Sequence, residues 1–458
     1  MNTHRTWSCF LFNVFIPLLI LLFCGTEARA GLIFEFDPVF TSEARYDDNI
    51  YLTRSKTSDW ISTVSPGFIS SLSNPRFNAK LEYQTGFVYF LHNPQHDYTR
   101  YEVNFTSSVE LTPRLTFSLD KTYLRANDPE FEEFADTDYA RSVRRNTRSM
   151  FNRNTITPRI EYRFGTENAA RLYYRNTNFR AGDSEADDYR ESFFENEIEY
   201  WFNVQNGISV LSHFTKGNFD QDTDLLNSID VTARYMHRFT PHFQLYGEYG
   251  TGVSDFEDTR FYRRLDVRRE IQVNSEDVED YDLRNFNVGC EWELPRNLRI
   301  EGSIGYFWRQ GVGNRDDQGM SSMFEIEKAT RNLTVGLRWV SGYSANFFAV
   351  RDAGFSEFWG VTGNLAHTYH ENIELRVRGS YGNTEYTYGR GGEGFAIEAR
   401  EEYRYTADTS LTYHILRNFG LLSDLSLELE YSHVELDSSS DANYYINNQA
   451  MALLTATF

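Results

Sequence analysis

The feature that most constrains this chain is an alternation of apolar and polar side chains with a period of two, running through the sequence to its last residue. Such a period places successive side chains on opposite faces of a strand. From Phe77 to Leu91 the odd positions carry Phe77, Ala79, Leu81, Tyr83, Thr85, Phe87, Tyr89 and Leu91, while the even ones begin Asn78, Lys80, Glu82 and Gln84. The next segment sets Tyr101, Val103, Phe105, Val109 and Leu111 against Arg100, Glu102, Asn104 and Glu110. The one after sets Leu115, Phe117, Leu119 and Tyr123 against Thr116, Ser118 and Asp120. Each segment has one apolar face and one wet face.

The connections alternate in length. Short turns are expected at Asn74-Pro75-Arg76, Thr112-Pro113-Arg114, Gly165-Thr166-Glu167-Asn168, Asn206-Gly207, Thr240-Pro241-His242, Pro295-Arg296-Asn297, Ser341-Gly342, His370-Glu371-Asn372 and Arg417-Asn418-Phe419-Gly420. Between them lie longer charged loops, notably 125–154, 254–280, 310–323 and 386–398. A soluble sandwich of alternating strands does not require this rhythm, whereas a transmembrane antiparallel β-barrel does, with short turns on the periplasmic side and long loops outside. Nine turns plus a strand at each chain end predict about 20 strands, with 18 as the alternative. No Gly/Ser-rich or Pro-rich linker breaks the chain, so residues 31–458 read as one all-β domain.

Composition agrees with that reading. The chain holds 37 Phe, 30 Tyr and 7 Trp at a net charge of −21, yet its mean hydropathy is −0.55. That is too hydrophilic for a bundle of membrane helices and too aromatic for a disordered acidic chain. In a barrel, aromatics at strand ends form girdles at the two membrane interfaces, and Tyr200, Phe202, Tyr249, Trp292, Trp308, Trp339, Trp359, Tyr381, Tyr413 and Tyr431 are candidates. The last segment, Tyr444, Ile446, Ala450, Ala452, Leu454, Ala456 and Phe458, alternates to the end of the chain. A terminal aromatic after such alternation resembles the assembly signal of bacterial outer-membrane barrels, so Phe458 is its candidate here and the barrel assembly machinery an expected partner.

Residues 1–30 read as a secretory signal. An apolar run from Phe10 to Cys24 is followed by Ala28-Arg29-Ala30, an A-x-A site that predicts cleavage between Ala30 and Gly31. A lipoprotein signal at Cys24 is the rival, and bulky Phe23 argues against it. Cys9 and Cys24 would leave with the signal, so Cys290 alone stays and neither a disulfide nor a cysteine metal site is expected. Without Arg5, Glu27 and Arg29 the remainder carries 43 basic and 65 acidic residues, which disfavours nucleic acid as a partner.

Tyr46-Asp47-Asp48-Asn49-Ile50-Tyr51, Asp59-Trp60-Ile61 and Val64-Ser65-Pro66-Gly67 resemble the amino-terminal signature of the β-barrel porins associated with exopolysaccharide and exosortase loci. The resemblance implies an outer-membrane barrel of a Gram-negative cell near a polysaccharide export system. Export proteins would then be partners, besides the outer-membrane lipid and lipopolysaccharide. That family has no catalytic residues to carry over. Read from its residues alone, the Asp-Asp-Asn stretch is an extracellular turn or a ligand site, Asp and Asn being ordinary turn formers.

The wet face of each strand would line a lumen. Only five of the 45 basic residues are lysine, and arginine suits ordered ladders because its guanidinium pairs carboxylates in a planar, bidentate way. Parity sends inward Arg159, Glu161, Arg163, Arg171, Arg175, Glu191, Glu195, Glu197 and Glu199. The same parity holds for Arg234, Arg238, Glu248, Glu291, Glu293, Arg299, Glu301, Arg338, Arg376, Arg378, Glu402, Arg404, Glu428 and Glu430. These charges either pair off and hydrate the lumen or line a selective channel. One loop is charge-segregated: Asp128, Glu130, Glu132, Glu133, Asp136 and Asp138 precede Arg141, Arg144, Arg145, Arg148 and Arg153. Folded inward, it would build a constriction with a transverse field; left outside, it would pair with itself or with lipid phosphates.

Enzymatic readings find no support in the sequence. His367 and His370 form the closest histidine pair and have no third ligand at metal spacing. His433 lacks a Gly-flanked Ser nucleophile, and Asp220, Asp222 and Asp224 lack the Gly and closing Glu of a calcium loop. The expectation is a cofactor-free outer-membrane pore for small polar solutes or export-associated saccharides. A non-conducting scaffold of a secretion system is the second class, and an outer-membrane hydrolase a distant third.

Overall fold

In a computed structural model the chain closes into a barrel of twenty antiparallel strands. The structure describes residues 31–127, 131–133, 141–143, 148, 150–181, 188–219, 225–257, 281–311, 317–345, 355–386, 400–439 and 444–458. The expected signal sequence, with Ala30, lies outside the described residues, and Gly31 is the first of them.

The strands follow chain order round the barrel. They are β1 (Ile33–Asp47), β2 (Asp59–Asn74), β3 (Phe77–Phe90), β4 (Tyr98–Thr112) and β5 (Leu115–Ala126), then, after a two-strand excursion, β8 (Phe151–Arg163), β9 (Ala169–Ala181) and β10 (Tyr189–Trp201). Next come β11 (Asn206–Phe219), β12 (Leu225–Thr240), β13 (Phe243–Glu257), β14 (Tyr281–Leu294), β15 (Leu298–Gly311) and β16 (Asp317–Ala329). The last are β17 (Leu333–Ala345), β18 (Phe355–Tyr369), β19 (Ile373–Tyr386), β20 (Arg400–Phe419), β21 (Leu422–Ser438) and β22 (Tyr445–Thr457). The excursion is a small hairpin of β6 (Phe131–Glu133) and β7 (Arg141–Val143) inside the segregated loop. Pairing of β1 with β22 closes the sheet, so no strand edge is left for lipid to meet unsatisfied.

Alternation fixes which face looks outward. Phe36, Tyr83 and Phe105 share parity with their cross-strand neighbours and are exposed or half-exposed on the outer wall, while Glu82, Gln84 and Glu102 turn inward. A one-residue slip would reverse every side chain, so the pattern also fixes the register. Ring contacts at strand ends build the girdles: Tyr162, Phe164 and Tyr200 stack at the short-turn end with Phe202 edge-on to Tyr200, and Trp339, Trp359, Tyr381 and Tyr405 form a ladder toward the other. Strands of 12 to 20 residues exceed the ~10 needed to cross a membrane, so they stand proud of it on the loop side.

Two expected turns are displaced. Ser341-Gly342 lies inside β17; the chain reverses instead at 330–332, where the Thr330 hydroxyl accepts from the Leu333 amide at 3.1 Å. Ser-Gly has the composition of a turn, but the alternating residues on both sides hold it in the sheet. Likewise Asn206 and Gly207 begin β11, and the reversal is at 202–205, where the Asn203 side chain accepts from the amides of Gln205 and Asn206, each at 2.9 Å. The turns at 295–297 and 370–372 use left-handed backbone at Arg296 and Asn297, and at His370 and Glu371. Such residues reverse the chain in the sense that matches strand twist, at some steric cost where a Cβ is present.

Candidate functional site

The candidate site is the lumen and its mouth. Every inward charge expected from parity falls on the lumenal side of the register, and many pair along or across strands. Arg171 meets Glu197 at 2.8 Å and Glu199 at 3.4 Å, Arg175 meets Glu191 at 2.8 Å, and Arg234 meets Glu248 at 2.8 Å. Arg159 reaches Asp120 at 3.2 Å, Arg299 reaches Glu301 at 2.8 Å, and Arg376 reaches Glu374 at 2.8 Å. Pairs this exposed contribute roughly 0–1 kcal/mol each, so their effect is to keep the wall hydrated rather than to hold it together.

The pairing is uneven. Glu291, Glu301 and Glu325 stand directly opposite one another on β14, β15 and β16, where like charges repel. Arg299 at 2.8 Å from Glu301 and Arg338 at 3.8 Å from Glu325 offset this in part. Near the barrel closure Glu430 has Glu428, Asp408 and Glu43 as charged neighbours, with Arg45 beside them. Two stretches of the wall thus carry an excess of carboxylate.

At the loop end, residues 48–58 fold into the mouth. Ile50 packs on Ile61, Val88 and Phe90, and Leu52 on Leu436 and Tyr445, all of them on the lumenal face. Asn49 is 0 % exposed and fixes this turn: its side-chain amide donates to the carbonyls of Thr53 (2.7 Å) and Ile446 (2.9 Å), and its Oδ1 accepts from the Thr53 amide (3.1 Å). Asp47 points inward and accepts from the Asn49 amide (2.9 Å), Asn447 (3.1 Å) and Gln449 (3.1 Å). Asp48 points outward and accepts from the Asn448 amide and side chain, each at 2.7 Å, and from Lys56 at 2.6 Å. The Asp-Asp-Asn stretch is therefore more than a turn. Its carboxylates fasten the first strand to the last on both faces of the closure, and its Asn turns the loop inward.

Arg148 joins this mouth from the segregated loop. Its Nε donates to the Ile50 carbonyl at 2.8 Å, its guanidinium lies 5.0 Å from the Phe90 ring centroid, and its Nη2 is 3.9 Å from Asp47 Oδ2. Next to it the Tyr51 hydroxyl and His96 Nε2 are 2.6 Å apart. Burial, and after it the Arg148 charge, holds His96 below its ordinary value, against the pull of Asp59. For Asp48 burial acts upward, but the hydrogen bonds from Lys56 and Asn448 more than reverse it and leave the carboxyl below the ordinary range.

Of the other residues named for a constriction, Arg153 on β8 faces the lumen between Leu124 and Phe179. Glu132, Glu133 and Arg141 lie on the β6–β7 hairpin, with Glu133 opposite Arg141 in the backbone register. Asp128, Glu130, Arg144 and Arg145 lie outside the described residues. A second apolar cluster lines the same end: Ala126, Phe151, Phe179 and Tyr189 pack together on the inner face. Its signal in the sequence was a set of aromatics on the otherwise polar parity at strand tops. Phe458 faces outward at the other end, and its amide donates to the Pro38 carbonyl at 2.9 Å.

A closed antiparallel barrel with a charged lumen and an apolar outer face defines the class of transmembrane β-barrels of the bacterial outer membrane. No protein-family model matches the chain, and no curated protein matches it. Among solved structures it is similar to the siderophore receptor PirA from Acinetobacter baumannii, with 8% identity over 93% of this chain and 80% of that one and a TM-score of 0.51. It also aligns with the outer membrane protein OpdK from Pseudomonas aeruginosa (11% identity, 93% and 99% covered, TM-score 0.37). OccAB4 from A. baumannii aligns likewise (14% identity, 93% and 98% covered, TM-score 0.41). At 8% identity the likeness to the PirA structure is one of fold.

Proposed function

We propose that the protein is a non-enzymatic outer-membrane pore for small polar solutes, with a mouth narrowed by inward-folded loops and a lumen that favours cations. The observation that carries this reading is the inner wall: long ladders of solvent-accessible Arg, Glu and Asp run along it, where a barrel filled as a solid core would bury apolar side chains. Twenty strands spaced about 4.8 Å and tilted about 40° give a backbone diameter of roughly 40 Å, too wide for wall side chains to meet. Whatever limits passage must then be supplied by loops. Residues 48–58 and Arg148 support that view at the mouth. We extend it to the segregated loop, with Asp128, Glu130, Glu132 and Glu133 opposing Arg141, Arg144, Arg145, Arg148 and Arg153 in a transverse field. Passage of saccharides, and docking to an export machine, rest on the sequence resemblance alone.

The test is reversal potential under a salt gradient in planar bilayers. Reversing Arg144 and Arg145 to Glu, with Arg148 left in its seat, is expected to increase cation preference. A channel whose reversal potential ignores the change would exclude the constriction, since charges beyond a Debye length of about 10 Å at 0.1 M salt are largely screened. A barrel that conducts nothing would favour the scaffold.

A further inference from the structure

A charge on the outer face of a barrel has to find water, an opposite charge or a lipid headgroup, so each break in the apolar parity is informative. Four such breaks share one sector. Arg125 on β5, Arg180 on β9, Arg190 on β10 and Lys216 on β11 are exposed and share parity with the outward Tyr123, Tyr174, Phe194 and Phe214 of their own strands. The register brings them together. Arg125 and Arg180 both stand opposite Asn152 of β8, Arg190 lies between Asn178 and Asn218, and Lys216 lies opposite Ser192.

They also share a height. Arg125 lies ten residues above Leu115, Arg180 eleven above Ala169, Arg190 eleven above Trp201 and Lys216 ten above Asn206, each counted from the short-turn end of its strand. A tilted strand climbs about 2.5 Å per residue, so all four sit roughly 25 Å up, at the upper edge of an apolar band of that thickness. Lys121, six residues above Leu115, shares the face lower down and can extend its stem toward them. No Asp or Glu within β4, β5 or β8 to β11 shares this face, while Asp188, immediately before β10, has its parity two residues above Arg190. Elsewhere the outward charges differ: Glu385, Glu401, Glu435 and Asp437 on β19 to β21 are acidic.

We propose that the outer face of β5 to β11 is a binding surface for the phosphates of an anionic lipid of the outer leaflet, the lipid A moiety of lipopolysaccharide. Guanidinium groups bind phosphate through paired, charge-assisted hydrogen bonds, and the interleaved Asn152, Asn178 and Asn218 amides add neutral donors. The acyl chains would lie on the apolar wall below, against Phe194 and Phe214.

The mature barrel in detergent is titrated with diphosphoryl lipid A, with dephosphorylated lipid A and with inorganic phosphate, and bound lipid is counted by native mass spectrometry. The variant R125Q/R180Q/R190Q/K216Q is expected to bind diphosphoryl lipid A at least a hundredfold more weakly, at about fivefold per cation removed. E385Q/E435Q, on the acidic sector, is expected to bind as the parent does. If the fourfold variant does not fold, R180Q/R190Q and the salt dependence of the parent stand in for it. Unchanged affinity in the variants, or parent binding indifferent to salt, would overturn the proposal. So would equal affinity for the dephosphorylated lipid, which would show acyl contact alone. Inorganic phosphate competing at lipid A concentrations would show a site for the free anion and would overturn the lipid assignment.

Discussion

At the scale of single residues, Asn49 and Arg148 do the most with the least sequence signal. Asn49→Ala removes three hydrogen bonds and leaves the Ile446 and Thr53 carbonyls to find other donors, a loss of about 2–3 kcal/mol in loop anchoring. The expected result is proteolytic cleavage within 48–58 by a protease that spares the parent, with the barrel intact. The depressed values of His96 and Asp48 give the shares of these two groups in the anchoring a pH dependence of one sign. A released loop binds protons more readily at both groups. The His96 contribution is therefore complete above the ordinary histidine value and falls away as pH drops through it, and the Asp48 contribution is lost in more acid solution still, as pH falls through its lowered value. Protease sensitivity of the loop is expected to rise from pH 7 to about pH 5.5, where histidine titrates ahead of the carboxylates; a loop equally protected at both would contradict the His96 contacts. Little of this was legible beforehand. Asn49-Ile50-Tyr51-Leu52 did put apolar residues into a turn of polar ones, a signal that the loop covers something, but Arg148 reaches Ile50 across 98 residues of sequence, and no local pattern reports that.

At the scale of elements, the strands were legible because a period of two survives wherever one face meets lipid and the other water. The turns were less so: Ser341-Gly342 misled because composition marks where a chain can reverse, not where its register requires it. The left-handed residues Arg296, His370 and Glu371 were not legible at all. At such a site Glu371→Gly removes a steric penalty of about 1–2 kcal/mol, so the variant is expected to unfold at higher urea concentration than the parent, with its register unchanged. The last strand allows a sharper contrast. Phe458 faces outward and Thr457 inward, so deleting Phe458 is expected to lower outer-membrane levels far more than Thr457→Ser. Equal levels would remove its assembly role.

At the scale of the whole molecule, closure, girdles and a charged lumen followed from alternation, turn rhythm and arginine bias read together. The outer cationic sector was present in the parity as well, in four charges on the wrong face, but its unity depends on strands whose alignment only the barrel supplies. The lumen's acidic row makes a prediction at this scale: E291Q/E301Q/E325Q removes three adjacent carboxylates and is expected to lower cation preference without loss of conductance. The most direct measurement is single-channel recording of the refolded parent beside Asn49→Ala, with reversal potential taken under a salt gradient. A cation-preferring channel is expected in the parent, and a larger conductance when the mouth loop is released. A barrel that conducts in neither form, or one that prefers anions, would contradict it.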